Sequence, residues 1–121
     1  MKTLLPIYPV YANKILAGTK KVEFRKKFTP SSNFVMFVTS PVEKAVGEFT
    51  ARSFMVAEPE FLWERFSDCG GISFEDFNAY FYGVRRGVAY LIDEVTPYDT
   101  LRPLSYYGLS EQPSGYIDVV A

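Results

Sequence analysis

The sequence predicts an α+β fold, in which a small, mostly antiparallel, barrel-like sheet of about five or six strands is partly plugged by three short helices. Strand-like segments dominate both ends of the chain, and helical patterns lie between them. Gly47 interrupts a long strand-like segment, as expected where a tightly coiled sheet bulges or another group approaches closely. The chain has no internal repeat and no dividing linker, so we expect one domain over residues 1–121.

Three segments carry the signals of helix ends. The first helix is predicted to begin near Pro9 and to end at Gly18, with apolar residues at helical spacing between them. The second opens with residues 58–60, where a proline between two glutamates suits a helix N-terminus. The third is predicted to have Ser73 as its N-cap, in a pattern that resembles a capping box, and to end at Gly83.

Six segments have the composition of strands. They cover residues 4–7, 20–28, 34–39, 45–56, 88–98 and 116–120. Residues 34–39 are apolar on both faces, which is typical of a central strand. Pro41 follows and must break the ladder, because proline has no amide hydrogen to donate. Residues 101–112 are predicted to form a loop, whose Tyr106-Tyr107 pair either stacks on a base or clasps the barrel.

The segment 20–28 alternates between apolar and charged residues, so that Glu23 and Arg25 share one face. One carboxylate among several cations is typical either of a solvated strand face or of one wall of a site for an anionic ligand. Strict alternation places Lys20 on the opposite face. The turn after Gly18 must therefore rotate Lys20 if the three charged side chains are to converge.

The composition excludes several classes of site. The sequence contains no histidine, which removes Ser-His-Asp and Cys-His catalysis and the usual zinc hydrolase site. Cys69 is the only cysteine and forms neither an internal disulfide nor a Cys-based zinc site, and we expect no metal and no cofactor. The N-terminus lacks a signal-peptide pattern, and no apolar run approaches the ~18 residues of a membrane span. We therefore expect a cytoplasmic protein without membrane contact.

Charge is distributed unevenly along the chain. Residues 1–56 have a net charge of +6 and residues 57–121 a net charge of −7, which gives −1 in total. This balance does not favour binding to bulk duplex nucleic acid. The basic half either supplies a wall that holds one or two phosphates or attracts the acidic half within the fold, and both interpretations stay open.

One stretch carries a family resemblance. Residues 16–25, Leu-Ala-Gly-Thr-Lys-Lys-Val-Glu-Phe-Arg, resemble the G-x-K-x-x-E-x-R signature of the ASCH family of PUA-like domains. Further stretches resemble one subgroup of that family, and they are Thr39-Ser40-Pro41-Val42, Val46-Gly47-Glu48-Phe49, Gly71-Ile72-Ser73, Gly87-Val88-Ala89-Tyr90 and Gln112-Pro113-Ser114-Gly115-Tyr116-Ile117. This ordered series covers nearly the whole chain. The resemblance implies a PUA-like pseudo-barrel.

The resemblance also implies a binding cleft between the barrel and the first helix, lined by Lys20, Glu23 and Arg25. Arg25 offers a planar fork of donors to a phosphate or a base edge, and Glu23 can orient it or accept a hydrogen bond from an exocyclic amine. The other candidate ligand-binding residues are Thr39, Ser40, Tyr90, Ser114 and Tyr116. The first two would place donors at the cleft mouth, and the last three rest on the resemblance alone.

Three functions follow as hypotheses. The first is a module that binds RNA or a single flipped or modified nucleotide in the basic cleft. The second is a small RNA-directed hydrolase, resembling either N4-acetylcytidine amidohydrolases or ribonucleases, with Lys20 and Glu23 as catalytic candidates. The amidohydrolase resemblance implies a catalytic lysine, threonine and glutamate. Lys20 matches the lysine, but Glu23 stands at the threonine position, and no carboxylate matches the glutamate position near Gly70. The catalytic residues are thus only partly matched, and binding is favoured over catalysis. The third is a regulatory module that binds a protein partner.

Overall fold

The computed structural model describes residues 1–120, which form six strands and three α-helices. The strands are β1 (Lys2–Ile7), β2 (Val22–Arg25), β3 (Asn33–Val38), β4 (Lys44–Ala57), β5 (Gly87–Arg102) and β6 (Ile117–Val119). The helices are α1 (Pro9–Leu16), α2 (Pro59–Phe66) and α3 (Phe74–Phe81), with a short 3-10 helix at Leu104–Tyr107. The predicted α+β pseudo-barrel is thereby confirmed. None of the helices in residues 1–120 has the length and apolar character needed to cross a bilayer.

The six strands form one mixed sheet in the order β2-β5-β4-β3-β1-β6. β1 pairs with β3 in parallel, and the other neighbouring pairs are antiparallel. Register shifts interrupt the β3–β4 and β4–β5 pairings, and such bulges increase the local twist and bend of a sheet. The barrel does not close through its backbone, because β2 and β6 remain edge strands.

Side chains bridge the opening between the two edges. Tyr116, just before β6, donates a hydrogen bond from its hydroxyl to the carbonyl of Lys27, just after β2, at 2.9 Å. Arg25 at the end of β2 donates to the carbonyl of Pro6 in β1, also at 2.9 Å. These contacts satisfy polar groups that the open edges leave without strand partners.

Gly47 lies where β4 approaches β5 most closely. A Cβ atom at this position would lie 2.7 Å from the carbonyl oxygen of Thr96. The register between β4 and β5 shifts next to it, between Ala45 and Gly47. The predicted bulge and close approach at Gly47 are therefore both present.

Alternate residues of β5 face two different apolar clusters. Tyr90 packs with Ile15 of α1 and with Phe34 in the cluster on the α1 face of the sheet. Ala89 packs in a second cluster, beneath α2 and α3, with residues such as Phe77. The sheet therefore carries helices on both faces, and β5 is buried on both over its first half.

Two strand boundaries differ from the expectation. β2 ends at Arg25 instead of near residue 28, because the amide of Lys26 donates to the Tyr80 hydroxyl of α3 and not to a strand. β5 continues to Arg102, which pairs with Ala45 of β4. The sequence predicted a strand that ends at residue 98 and a loop from residue 101. The Tyr106-Tyr107 pair clasps the barrel through its second member, which is buried in a third apolar cluster.

Candidate binding site

A cavity of about 920 Å³ lies between α1 and α3, at the ends of β1 and β3 and beside β2. One part of its wall is charged and is formed by Lys20, Glu23 and Arg25. Another part is aromatic, with Tyr8 and Tyr80 contributed by α1's first turn and by α3. Cavities of this size, with a few convergent polar groups among apolar walls, are typical of small-ligand sites.

The backbone between α1 and β2 rotates Lys20 toward the cavity. Gly18 ends α1 in the left-handed conformation with φ of +81°. The amide of Lys20 then donates back to the carbonyl of Lys14 at 3.1 Å, and the amide of Lys21 donates to the carbonyl of Cys69 at 2.8 Å. Because β2 begins only at Val22, the alternation of strand faces does not apply to Lys20. Lys20, Glu23 and Arg25 therefore converge, as the interpretation of an inward-facing wall requires.

The carboxylate of Glu23 lies between the two cations. Its Oε1 is 3.6 Å from Lys20 Nζ, and its Oε2 is 3.2 Å from Arg25 Nη1. Lys20 is 2% exposed and Glu23 is 5% exposed. Each carboxylate oxygen thus faces one cation, so Glu23 orients both of them. The cluster of three carries a net positive charge, which suits an anionic ligand.

The ammonium group of Lys20 is held by more than its ion pair. Its Nζ donates to the carbonyl of Gly70, and it lies 5.3 Å from the ring centroid of Tyr11 and 5.4 Å from that of Phe24. Burial lowers the pKa of Lys20 below its ordinary value, and the charge of Glu23 opposes that shift without cancelling it. Lys20 therefore releases its proton at a lower pH than a solvated lysine does.

The turn at Gly70 and Gly71 fits closely around Lys20. A Cβ atom on Gly70 would lie 2.6 Å from the Phe24 ring. Gly71 has φ of +63°, and a Cβ atom there would lie 2.8 Å from Lys20 Cβ. The carbonyl of Gly71 also accepts a hydrogen bond from Lys14 Nζ at 3.0 Å. The sequence analysis did not predict this close approach, although two adjacent glycines are a signal for it.

Arg25 presents part of its guanidinium group to the cavity. Its Nη1 donates to the Pro6 carbonyl and to Glu23, and its plane lies 5.5 Å from the ring centroid of Tyr116. Burial acts to lower the pKa of Arg25, but Glu23, Tyr80 and Tyr116 together outweigh it. The pKa is therefore raised above its ordinary value, and the group stays charged. Among residues 1–120 no protein group accepts a hydrogen bond from Nη2 or Nε of Arg25. Every fully buried side-chain nitrogen or oxygen in those residues has a partner, so these two nitrogens are not fully buried. These nitrogens therefore remain accessible to a ligand.

The mouth of the cavity carries uncommitted hydroxyl groups. Thr39 and Ser40 line it, in the turn that follows β3. The amide of Thr39 donates to the carbonyl of Ile7, which holds the turn against the end of β1. Neither hydroxyl makes a hydrogen bond to another described residue, so both can donate to a ligand.

The other three sequence candidates lie elsewhere. Tyr90 does not contact the cavity, because its ring is buried in the core and its hydroxyl bonds both the amide and the carbonyl of Thr29. The expectation that Tyr90 contacts a ligand is therefore wrong. Ser114 is exposed and is not part of the cavity wall. Tyr116 also lies outside the wall but supports Arg25 from behind.

Sequence reasoning missed the tyrosines of the cavity wall. Tyr8, Tyr11 and Tyr80 all line it, although their helical spacing indicated core positions. Asp76 in the first turn of α3 adds a second carboxylate to the wall. In the described residues, 1–120, no group of three or more cysteine, aspartate or glutamate side chains is arranged to hold a metal ion.

Comparison with solved structures identifies proteins that share this architecture. The chain superposes on the crystal structure of ASCH from Zymomonas mobilis with a TM-score of 0.86 and 21% identity, covering 96% of this chain and 85% of that one. A Tyr-to-Phe variant of the same protein gives a TM-score of 0.86 and 23% identity, covering 96% of this chain and 88% of that one. At these identities the likeness establishes the fold. No protein-family model matches the chain.

Comparison with curated sequences gives matches to proteins with different names. The chain is 25% identical to an "ASCH domain-containing ribonuclease" of Zymomonas mobilis over 113 residues, 91% of this chain and 74% of that protein. It is 30% identical to "Large ribosomal subunit protein uL22" of Ureaplasma parvum over 82 residues, 68% of this chain, and so spans only 26% of that protein. It is 28% identical to "ATP synthase subunit alpha" of the same organism, over 87% of this chain and 14% of that protein.

Proposed function

Starting from the ASCH-domain fold of this chain, we propose that residues 1–121 act as one RNA-binding domain that holds a single nucleotide in the cavity between α1 and α3. The observation that carries the proposal is the buried cluster of Lys20, Glu23 and Arg25 in the wall of that cavity. Its net positive charge lies where a phosphate can reach the outer nitrogens of Arg25. Arginine binds phosphate with charge-assisted, often bidentate hydrogen bonds.

The aromatic wall suits the base of the same nucleotide. Tyr8 is largely exposed at the cavity edge, and Tyr80 is half-buried opposite the charged wall. Unpaired RNA bases are commonly recognised by stacking on such rings. The free hydroxyls of Thr39 and Ser40 lie at the mouth, where they can donate to a phosphate or to a ribose oxygen. The cavity therefore offers one partner to each part of a nucleotide.

The relatives support RNA as the ligand class, with unequal weight. A protein named as a ribonuclease aligns with this chain over 74% of its own length, so the shared segment is most of that protein. The match to uL22 covers only 26% of that protein, and an ATP synthase subunit matches over 14% of its length. Because the same segment matches small parts of two such differently named proteins, neither of these two names indicates its function.

The test is binding of a fluorescent, random-sequence RNA oligonucleotide at about 50 mM salt, where phosphate contacts are strongest. Arg25→Gln is expected to weaken binding about tenfold or more, because hydrogen bonds to charged groups contribute ~1.5–3 kcal/mol. Tyr8→Ala is expected to weaken it about tenfold through lost stacking. Tyr8 is well exposed, so this second variant leaves the fold intact.

Matched controls lie on α2, away from the cavity. Arg65→Gln removes an exposed arginine, and Phe61→Ala removes an exposed ring. Both are expected to bind RNA like the unmodified protein. The proposal is wrong if the unmodified protein does not bind the RNA, or if the cavity variants bind as tightly as their controls.

A second candidate function is cleavage of the RNA strand, favoured by the lowered pKa of Lys20 and by the ribonuclease relative. The neutral amine of Lys20 would take the proton of a 2′-hydroxyl, which attacks the adjacent phosphorus. The 5′-oxygen then leaves with a proton from water, giving a 2′,3′-cyclic phosphate and a 5′-hydroxyl. Lys20 Nζ must first leave the carbonyl of Gly70 to reach the substrate.

The two candidates differ in their products. Incubation with labelled RNA distinguishes them, because cleavage by this route leaves a cyclic phosphate end. Lys20→Met is expected to abolish this product even at RNA concentrations that saturate the variant. If the RNA stays intact over a prolonged incubation, the domain binds without cleaving. If cleavage persists in Lys20→Met, Lys20 is not the base.

A further inference from the structure

A second surface beside the cavity exposes two aromatic rings. Phe28 is 45% exposed and Phe54 is 52% exposed, and their ring centroids lie 4.7 Å apart. The two rings are tilted by 50° to each other, and together they form an apolar surface that the fold itself does not cover.

The position of Phe28 is fixed from below. The hydroxyl of Tyr90 accepts from the amide of Thr29 at 2.7 Å and donates to its carbonyl at 2.9 Å. The ring of Phe28 lies nearly parallel to that of Tyr90, with centroids 6.5 Å apart. Phe28 is therefore held outward beside Phe54 by a buried anchor and does not belong to a loose loop.

Four exposed cations lie at the same edge of the sheet. Lys26 and Lys27 follow the end of β2, and Arg85 and Arg86 precede the start of β5. Because Arg25 pairs with Val88 in the antiparallel β2–β5 ladder, these two basic pairs come from adjoining strand ends. Within the described residues none of the four side chains forms an ion pair.

Glu58 brings an acidic side chain to this edge. Glu58 follows Ala57, which pairs with Gly87, so Glu58 is close in register to the two arginines. It is exposed and makes no ion pair with any described residue. Four cations against one carboxylate leave the edge clearly positive, in a chain whose net charge is −1.

The surface is continuous with the cavity. Lys26 Nζ lies 4.9 Å from the ring centroid of Tyr80, and its amide donates to the Tyr80 hydroxyl at 3.2 Å. Tyr80 lines the cavity on its other side. Lys26 therefore contacts a residue of the cavity wall, and Phe28 follows it two positions along the chain.

We propose that this basic-aromatic surface, formed by Lys26, Lys27, Phe28, Phe54, Arg85 and Arg86, binds the single-stranded RNA that flanks the nucleotide in the cavity. Bases stack on the two phenylalanine rings, and the cations hold the phosphates between them. Exposed rings interleaved with unpaired cations are the usual platform for single-stranded nucleic acid. The inference rests on the proposed function, because the cavity defines where the strand begins.

The test compares two fluorescent probes, a uridine dinucleotide and an oligouridylate of about eight nucleotides, within the ~4–16 that one small barrel accommodates. Phe54→Ser is expected to weaken binding of the longer probe about tenfold and to leave the dinucleotide unaffected. Arg86→Glu is expected to weaken the longer probe and to reduce the slope of log K against log salt by about 0.7, the value for one lost phosphate contact on a single strand.

The controls are Phe61→Ser and Arg65→Glu, which make the same chemical changes on α2. If Phe54→Ser and Arg86→Glu bind the longer probe like these controls while Arg25→Gln still weakens it, the basic-aromatic surface does not bind RNA and the cavity proposal stands. Equal loss of both probes would also overturn the surface, because its residues would then belong to the cavity. If Arg25→Gln weakens neither probe, the proposed function itself is wrong.

Discussion

Glu23 and Glu48 each hold cations near the sheet, but they do so near opposite ends of β1. Glu23 forms an ion pair with Lys20 and accepts a hydrogen bond from Arg25 beside the 920 Å³ cavity, and it is almost fully buried. Glu48 lies 2.8 Å from Lys2 Nζ and accepts from the Tyr98 hydroxyl at 2.7 Å, beside a second cavity of 560 Å³.

The two clusters differ in how far their side chains are exposed to solvent. The side chains of Lys2 and Glu48 are 32% and 22% exposed, so water can replace either partner. Burial acts to raise the pKa of Glu48, but hydrogen bonds from Lys2 and Tyr98 outweigh it and the pKa is lowered. Water does not reach Lys20 as readily, and its pKa falls through burial. The same residue types thus give a stabilised, part-exposed ion pair at one end and a lysine with a lowered pKa in a cavity wall at the other.

The largest expected difference comes from removing each carboxylate charge. Glu23→Gln leaves the buried Lys20 and the part-buried Arg25 without their counter-charge and is expected to lower the free energy of unfolding by ~3 kcal/mol. Glu48→Gln breaks a partly exposed pair and is expected to cost ~1 kcal/mol. Urea denaturation of both variants measures the difference. Equal losses would mean that burial does not distinguish the clusters.

A smaller effect is expected from the turn that holds Lys20. Gly71→Ala forces a side chain into a left-handed conformation and against Lys20, and we expect a loss of ~2–3 kcal/mol. Gly83 has φ of +76° and open space around it, so Gly83→Ala isolates the conformational part, ~1 kcal/mol. Thermal or urea unfolding gives both values. Identical losses would show that the contact with Lys20 contributes nothing.

The polar chain around Glu48 predicts a smaller loss still. Tyr98→Phe removes the hydrogen bond to Glu48 and the one accepted from the Tyr107 hydroxyl at 3.1 Å, while it keeps the ring beneath Arg102. We expect a loss of ~1 kcal/mol in the free energy of unfolding, typical of hydrogen bonds in a partly solvated site. RNA binding, measured in parallel, should not change if the two cavities have separate roles.

The smallest expected effects are those of pH on the free energy of unfolding. Burial lowers the pKa of Lys20, whereas hydrogen bonds and nearby cations lower the pKa of Glu48. Lys20 has a lowered pKa in the folded state, so the unfolded chain binds more protons between that value and the ordinary lysine value, and stability rises with pH there. Glu48 also has a lowered pKa, so its contribution is present above the ordinary glutamate value and is lost as pH falls through the folded one.

Urea denaturation across the pH range separates the two groups. Lys20→Met should remove the alkaline rise and Glu48→Gln should flatten the acid limb, each by a slope of less than ~1.4 kcal/mol per pH unit. An alkaline rise that survives in Lys20→Met would assign it to another group.

Local signals predicted the helix ends well. Ser73 caps α3 by accepting from the amide of Asp76 at 3.1 Å, and Gly18 and Gly83 both adopt positive φ. These features depend on residues within about four positions of one another, so the sequence pattern contains all of the relevant partners. The resemblance of the ordered motifs to the ASCH family likewise predicted the fold, which the comparison with solved structures confirms.

Strand boundaries were predicted less well, because distant residues decide them. The amides of Lys21 and Lys26, on either side of β2, donate to the carbonyl of Cys69 and to the hydroxyl of Tyr80. Partners some fifty residues away thereby shorten the strand that the alternation suggested. β5 is longer than expected for the converse reason, since Ala45 offers Arg102 a strand partner.

The sequence by itself determined which side chains could carry the chemistry: one carboxylate between two cations after the first helix, and no histidine anywhere. Tertiary structure alone decided which way they face. Glu23 is buried between Lys20 and Arg25. Tyr90 is buried in the core, and its hydroxyl is held by the backbone of Thr29. Charge and hydrogen-bonding capacity belong to the residue, whereas burial and pKa depend on the surfaces that distant segments bring together.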